Sequence, residues 1–526
     1  MSRDFSQLAI RAETHPPAYS FHKYWARKPH NVVRRALRAA GLLNGQLVLD
    51  PFCGSGVPLS EAARLGAKCV GFDVNPVAVA LTRATLDPPE PHAFRRLLES
   101  ELDGLEREFG ELYRLGGRTI RHVVHAVVVV CPHCGLRVSA DKAVRRGRRY
   151  TCPSCENRLC FNLENLVATR QLRVVLDDGR EIADEQDCPA HGEDADACRF
   201  DRALTPNRRI LAFPGLRTRH LFSARNFRLL TAFAERIGRL PEAERDTASL
   251  ALTASAAQCS RLIAYRNNLT TGGPAWTVPG FWVPPLHLES NPLAHIRARL
   301  QRMCRGFADL RRFPGRGAGH TVRLGSAGEL LREPLPAPAS LVFLDPPYGD
   351  SVPYLEFSAL WNSLLGLAPE PAADIAVSDR VAGDGGWDRY ERGLHNAAHG
   401  VVAQLHPEGR VLVTFNNKDM RAWTALLTAL QAAGLACRGA FYQSPAVVST
   451  KAQLAHAGSY IGDVYCLFER TRTRPGIDLA AVSGALRSQG RQTRRSVQRA
   501  ALLAFLRANL DAGLLPRLSD EIAALA

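Results

Sequence analysis

The stretch Gln46-Leu47-Val48-Leu49-Asp50-Pro51-Phe52-Cys53-Gly54-Ser55-Gly56 decides the fold. Its apolar start ends at Asp50, and a short run of this kind reads as a buried strand. Glycines follow at Gly54 and Gly56, and the pattern beyond them predicts a helix from Pro58 to Leu65, stopped by Gly66. Lys68-Cys69-Val70-Gly71-Phe72-Asp73 reads as a second strand, and Asn75-Pro76 opens another helix. Strand, helix, strand, helix in this order implies an α/β fold with a parallel sheet and right-handed crossovers.

Upstream, apolar positions recur at helical spacing from Asn31 to Leu43. Downstream, strand-and-helix alternation returns near residue 320. Strands are expected at His320–Leu324, Ser340–Leu344 and Arg410–Phe415, and Cys437–Gln443 with Asp463–Glu469 suit a closing hairpin. Between these halves the character changes. Residues 91–120 read as a charged helical connector. Residues 121–200 read as a cysteine-bearing insert with a hairpin, and residues 201–319 as mainly helical with a Gly-, Pro- and aromatic-rich loop from Asn267 to Pro292. The helix near Pro292 carries Arg297, Arg299, Arg302, Arg305, Arg311 and Arg312. The expected organisation is therefore a split α/β unit in residues 1–90 and 320–470, those three intervening segments, and a helical tail in 471–526 with a basic start.

A hydrophobic fraction of 46% suits an ordinary globular chain. No run of about 20 apolar residues is present, so a membrane span is not expected. The start, MSRDFSQLAI, lacks the basic and apolar regions of a signal peptide, and the expected location is the cytoplasm. The formal net charge of +16 favours a polyanionic partner, although Arg- and Ala-rich chains also arise from GC-rich coding. The 13 cysteines are an odd number in a long chain of this kind, which argues against a disulfide framework.

Four of those cysteines are paired by spacing. Cys131-Pro132-His133-Cys134 and Cys152-Pro153-Ser154-Cys155 are two C-x-x-C knuckles, which predicts a zinc ribbon with a closed, structural Zn(2+) site. Lys142, Arg145, Arg146, Arg148 and Arg149 lie between the knuckles, where they suit phosphate contact or a solvated basic loop. Cys188, His191 and Cys198 read as surface residues, and Cys160, Cys259, Cys304, Cys437 and Cys466 as core.

The glycines after Asp50 let a bulky cofactor lie against the backbone, because no Cβ stands in its way. Asp73 ends the next strand, where an acidic side chain can accept hydrogen bonds from ribose hydroxyls. A second loop, Asp345-Pro346-Pro347-Tyr348, follows an apolar strand and precedes Gly349-Asp350. Prolines stiffen it and donate no N–H, so its carbonyls are free to face a ligand. Leu86-Asp87-Pro88-Pro89-Glu90 looks alike but lacks the aromatic and the preceding strand, and reads as a helix-ending loop.

The run Asp-Pro-Phe-x-Gly-Ser-Gly resembles motif I of the DNA amino-methyltransferases, and His22-Lys23-Tyr24-Trp25-Ala26-Arg27-Lys28-Pro29 resembles their motif X. Asp345 to Tyr348 looks like their catalytic loop, and Tyr354, Glu356, Phe357, Ser358 and Trp361 like the helix after it. Leu405-His406-Pro407-Glu408-Gly409 before Val411 is similar to their following helix-turn-strand. With the ribbon, and with Trp282-Val283-Pro284 and Glu289-Ser290-Asn291-Pro292, the chain resembles the zinc-ribbon adenine-specific DNA methylases over about residues 15–470.

That resemblance implies a Rossmann-like S-adenosyl-L-methionine methyltransferase sheet with an inserted zinc ribbon and a helical substrate-recognition region. It implies a cofactor site of Lys28, Pro29, Asp50, Phe52, Gly54, Gly56 and Asp73, and a catalytic loop of Asp345, Pro346, Pro347 and Tyr348. In such a loop a carboxylate and a main-chain carbonyl hold the exocyclic amine of a flipped base, and the Tyr face stacks on that base. The motif order implies the α group, whose usual product is N6-methyladenine in double-stranded DNA. Asp at the head of the loop points the same way. Cytosine-C5 chemistry is disfavoured, since no Pro-Cys pair is present. RNA guanine-N2 or adenine-N6 methylation, DNA cytosine-N4 methylation, and a non-catalytic nucleic-acid-binding ribbon protein stay open. A restriction or phage-defence partner protein is a further expectation. Ser326 stands where the family often has an acidic residue near the cofactor adenine.

Overall fold

Seven strands build the central sheet: β1 (Leu47–Asp50), β2 (Lys68–Asp73), β3 (Thr321–Leu324), β4 (Ala339–Leu344), β5 (Leu405–Phe415), β6 (Leu435–Gln443) and β7 (Asp463–Arg470). The computed structural model describes residues 5–147, 149–189, 199–265, 280–315, 317, 319–380, 385–444, 462–472, 476 and 494–517. The sheet order is β3-β2-β1-β4-β5-β7-β6. Strands β1 to β5 are parallel, and β7 runs antiparallel between β5 and β6. The expected closing hairpin is therefore present, with its last-formed strand inserted into the sheet.

The strands show no polar alternation because both faces are covered. Val48, Leu341, Phe343 and Leu412 pack in one apolar cluster with Leu37, Leu59 and Leu81. Their neighbours Leu49, Val342, Leu344 and Val411 pack in a second with Tyr390, Leu394 and Leu426. Helices α1 (His30–Ala39), α2 (Val57–Ala63) and α3 (Pro76–Leu86) carry the first set, and α9 (Gly385–Gln404) and α10 (Met420–Ala432) the second. The helix after Gly56 thus spans Val57–Ala63, close to the expected Pro58 to Leu65.

Asp87 to Glu90 is a connector, as its sequence implied. Asp87 caps the end of α3, and the Glu90 carboxylate accepts from the His92 and Ala93 amides at the start of α4 (Pro91–Phe109).

The middle of the chain departs from its reading. A strand at Arg118–Val130 pairs antiparallel with Leu166–Leu176 and Leu286–Ser290, within a second sheet of six strands. The span read as mainly helical thus supplies one strand of that sheet, besides α5 (Ala224–Gly238), α6 (Glu242–Ala256) and α7 (Pro292–Leu310). Most of Arg118–Val130 is buried on both faces, which removes the alternation that would have announced it. The arginine row of α7 is partly engaged inside the chain. Arg297 pairs with Asp103 and Glu106 of α4, Arg299 donates to the Phe21 carbonyl, and Arg311 donates to the Pro88 carbonyl.

Three smaller readings also change. Leu405 to Gly409 is already strand, with α9 ending at Gln404. Cys160 is exposed and Cys304 half-buried, whereas Cys259, Cys437 and Cys466 are core. Arg494–Arg507 is helical and packs its last two turns into the second cluster, while Arg148, His191, Cys198 and the loop from Asn267 to 279 lie outside the described residues.

Candidate functional site

Parallel strands direct their C-terminal ends to one edge, and the loops after β1, β2, β3 and β4 meet there. The β1 loop is shaped by two left-handed glycines, Gly54 at φ 50° and Gly56 at φ 74°. A Cβ on Gly56 would stand 2.9 Å from the Thr82 backbone, so α3 can cross this close only over glycine. Asp73 closes the loop: its Oδ2 accepts from the Gly54 amide (2.8 Å) and its Oδ1 from the Asn75 amide (2.9 Å). Burial lifts the Asp73 pKa to about 6, against the pull of those amides. Asp50 is fully buried. One oxygen accepts from the Phe52 amide (3.1 Å) and the other has no partner among the described residues. Burial raises its pKa well above the carboxylate range, with Asp345 and Asp73 adding to the effect.

These loops open onto a cavity of about 760 Å³, within the roughly 300–1,000 Å³ of small-molecule sites. Of the cofactor residues inferred from sequence, Lys28, Asp50, Phe52, Gly54 and Asp73 line it, and Pro29 and Gly56 do not. Pro29 instead caps the start of α1, and Gly56 that of α2. Gly325, Ser326 and Ala327 line the cavity on the β3 side, so the strand end without an acidic residue does face it. Asp374 and Arg389 line it too, and neither stood out in the sequence.

The segment before α1 reaches the cavity because aromatic contacts pin it. Trp25 stacks on Trp361 (4.6 Å) and Phe357 (5.1 Å) of α8 (Tyr354–Leu364), and His22 shares a hydrogen bond with Thr253 (2.9 Å). Lys28 is thereby carried, buried, to the loop after β4. Its Nζ lies 2.6 Å from the Tyr348 hydroxyl, 3.2 Å from Asp345 Oδ1 and 3.5 Å from Asp463 Oδ2. Burial opposes its charge, and the two carboxylates outweigh burial and hold its pKa above the usual lysine value.

Asp345 takes all its contacts on one oxygen. Oδ1 accepts from the Tyr348 hydroxyl (2.9 Å) and the Thr414 hydroxyl (2.7 Å), besides facing Lys28. Oδ2 forms no hydrogen bond or ion pair among the described residues, and Asp345 lines the cavity. Burial raises the Asp345 pKa, with Lys28 pulling the other way. The Pro347 carbonyl accepts from Tyr390 (2.8 Å) and the Tyr348 carbonyl from Asn417 (2.9 Å). The Pro346 carbonyl has no partner among the described residues. Pro347 lines the cavity, and Pro346 and Tyr348 do not. The Tyr348 ring packs on Phe415 (4.8 Å) with Lys28 4.6 Å from its centre, so it is not presented as an open stacking face. Thr414, Asn417 and Asp463 were not singled out from sequence. Each stands at or just beyond the end of a strand whose partners are distant in the chain.

The four knuckle cysteines converge. Their Sγ atoms lie within 4.8 Å of one another, with Cys131–Cys155 and Cys134–Cys152 at 3.6 Å. Four thiolates at about 2.3 Å around a tetrahedral ion would stand about 3.8 Å apart. The two knuckles fold alike: Gly135 and Glu156, each at positive φ, donate to the Cys131 and Cys152 carbonyls at 3.0 Å. The cluster could hold a metal ion. Lys142, Arg145, Arg146 and Arg149 project nearby, Arg145, Arg146 and Arg149 on a three-stranded ribbon.

Gly56→Ala is expected to destabilise the protein by about 1–3 kcal/mol, read as a lowered melting temperature. An unchanged melting curve would show that α3 and the loop can separate freely.

Residues 5–83 match the family described as DNA methylase. A Type II methyltransferase, M.BsoBI of Geobacillus stearothermophilus, is 27% identical over 109 residues, covering 20% of this chain and 19% of that protein. Both loops and the segment carrying Lys28 meet at one cavity. No helix among the described residues is long and apolar enough to cross a membrane. Over these segments the chain is similar to the adenine/cytosine N-methyltransferases among DNA methylases.

Proposed function

We propose that this protein is an S-adenosylmethionine-dependent DNA methyltransferase that modifies adenine N6, with Asp345 to Tyr348 as its catalytic loop. The observation that carries this reading is that Asp345, whose Oδ2 makes no hydrogen bond or ion pair among the described residues, lines one cavity with Phe52, Gly54 and Asp73. An exocyclic amine needs two acceptors. Asp345 Oδ2 would be one, and the Pro346 carbonyl, which has no partner among the described residues and lies just outside the cavity lining, would be the other within the same stiff turn.

The cavity fits the cofactor. It has the volume, glycine backbone on one side, and an Asp73 carboxylate with spare lone pairs for ribose hydroxyls. Bound S-adenosylmethionine would supply an electrophilic methyl group. Asp73, Gly54 and Phe52 would hold it, Asp345 and Pro346 would orient the target amine, and Asp345 would take the proton that amine releases. Positioning and fixed charge then provide most of the rate.

In this reading the central sheet is a Rossmann-like methyltransferase unit formed by residues 1–90 and 320–470. The cysteine cluster is a structural zinc ribbon, and its basic strands and the 201–319 region meet double-stranded DNA. Adenine N6 is preferred to cytosine N4 because Asp heads the loop and the motifs stand in α-group order.

Incubation with labelled S-adenosylmethionine and DNA, followed by nucleoside analysis, is expected to yield N6-methyladenine. Asp345→Ala is expected to slow it by at least about 100-fold. N4-methylcytosine instead would overturn the base assignment, and label confined to RNA the substrate. S-adenosylhomocysteine should bind through ionised Asp73, whose pKa is about 6. Its affinity is therefore full above that pH and falls as pH drops through it, by roughly tenfold near one unit below. Calorimetry across pH should show this, and Asp73→Asn should abolish the dependence. Metal analysis of the native protein should find about one zinc per chain, lost on Cys134→Ser. An ion-free, fully folded protein would remove the ribbon.

A further inference from the structure

We propose that Asp463 is a positioning residue for the catalytic loop: it shares the Lys28 ammonium with Asp345 and thereby keeps Asp345 Oδ2 open for the target amine. This rests on the methyl-transfer reading of the loop.

The geometry is that of one cation divided between two carboxylates. Lys28 Nζ stands 3.2 Å from Asp345 Oδ1 and 3.5 Å from Asp463 Oδ2. An ammonium has three donors, and Asp345, Asp463 and the Tyr348 oxygen (2.6 Å) account for them. The Tyr348 hydroxyl has one proton to donate, and its oxygen lies 2.9 Å from Asp345 Oδ1 and 3.3 Å from Asp463 Oδ1. Asp463 is the first residue of β7, opposite Gln443 and one residue before Val464, which pairs with Phe415. Sheet register therefore fixes its place, and it draws Lys28 to the Oδ1 side of Asp345. Without it the whole ammonium would fall to Asp345, where it could bridge both oxygens and cover the acceptor. Asp345 is also faced by Asp50 from β1, Tyr354 from α8 and Tyr465 from β7. Lys28 is the one cation in ion-pair contact with it among the described residues.

Three variants test this in single-turnover methylation of double-stranded DNA. Asp463→Asn is expected to lower the single-turnover rate constant by about 10- to 100-fold, with S-adenosylhomocysteine affinity nearly unchanged, and Asp463→Glu to recover much of the rate. Asp463→Asn removes a negative neighbour from Asp345, so the acid limb of the single-turnover rate profile should move to lower pH. Lys28→Met removes the cation and should move it to higher pH. A wild-type rate for Asp463→Asn, or shifts in the same direction, overturns the proposal. A melting cycle on the cofactor-free protein adds an independent reading. Asp463→Asn should lower the melting temperature alone and raise it in the Lys28→Met background. Strictly additive shifts also overturn the proposal. A wild-type protein that binds S-adenosylhomocysteine but methylates no DNA defeats the functional reading alone, and the cycle still decides whether Lys28 is shared.

Discussion

The pairing of β1 with β4 is the constraint on which the remaining structure depends. Val48 lies opposite Leu341 and Leu49 opposite Val342, although these segments are far apart in the chain. Parallel neighbours end at the same edge, so the loops at Asp50 and Asp345 must share a site. Everything between β2 and β3 must then leave that edge of the sheet and return to it. The intervening chain meets this demand by building its own six-stranded sheet and a helical layer.

That added layer is held by a buried charge cluster. Glu289 accepts from His125 (2.8 Å) across the sheet and from Arg225 near the start of α5 (2.6 and 3.0 Å). Burial alone would raise the Glu289 pKa. The His125 hydrogen bond and the Arg225 charge outweigh burial and hold it below the usual carboxylate range. A carboxylate buried this fully is tolerable only when paired on every side, and removing one partner is severe. The cluster therefore specifies how the Leu286–Ser290 strand sits against α5, more than it adds to net stability.

What was legible in the sequence was local. The run from Gln46 to Gly56 announces a strand, a tight turn and a helix because each depends on neighbouring residues, and the knuckles announce themselves by spacing. Strand β5 and the β6–β7 hairpin were also readable from composition. The second sheet was not, because a strand buried on both faces carries no period, and Leu286–Ser290 falls in the stretch from Asn267 to Pro292 that reads as a Gly-, Pro- and aromatic-rich loop. The partners of the Asp345 loop were hidden for another reason. Thr414 and Asp463 are ordinary residues until sheet register sets them beside Asp345. Lys28 was visible, but as a neighbour of the cofactor; its contacts with Asp345, Tyr348 and Asp463 come from the aromatic packing of Trp25 on α8.

The clasp around Tyr348 joins sequence positions 320 residues apart on one side and 115 on the other. Such distant contacts close late, after the chain has already paid most of its ordering entropy. On the ribosome the first half of the sheet can gather while residue 463 is still inside the exit tunnel. The nascent chain can then form the cavity before it has a clasped loop. A chain that ends before β7 would keep the Asp345 loop but lack the second carboxylate of the clasp.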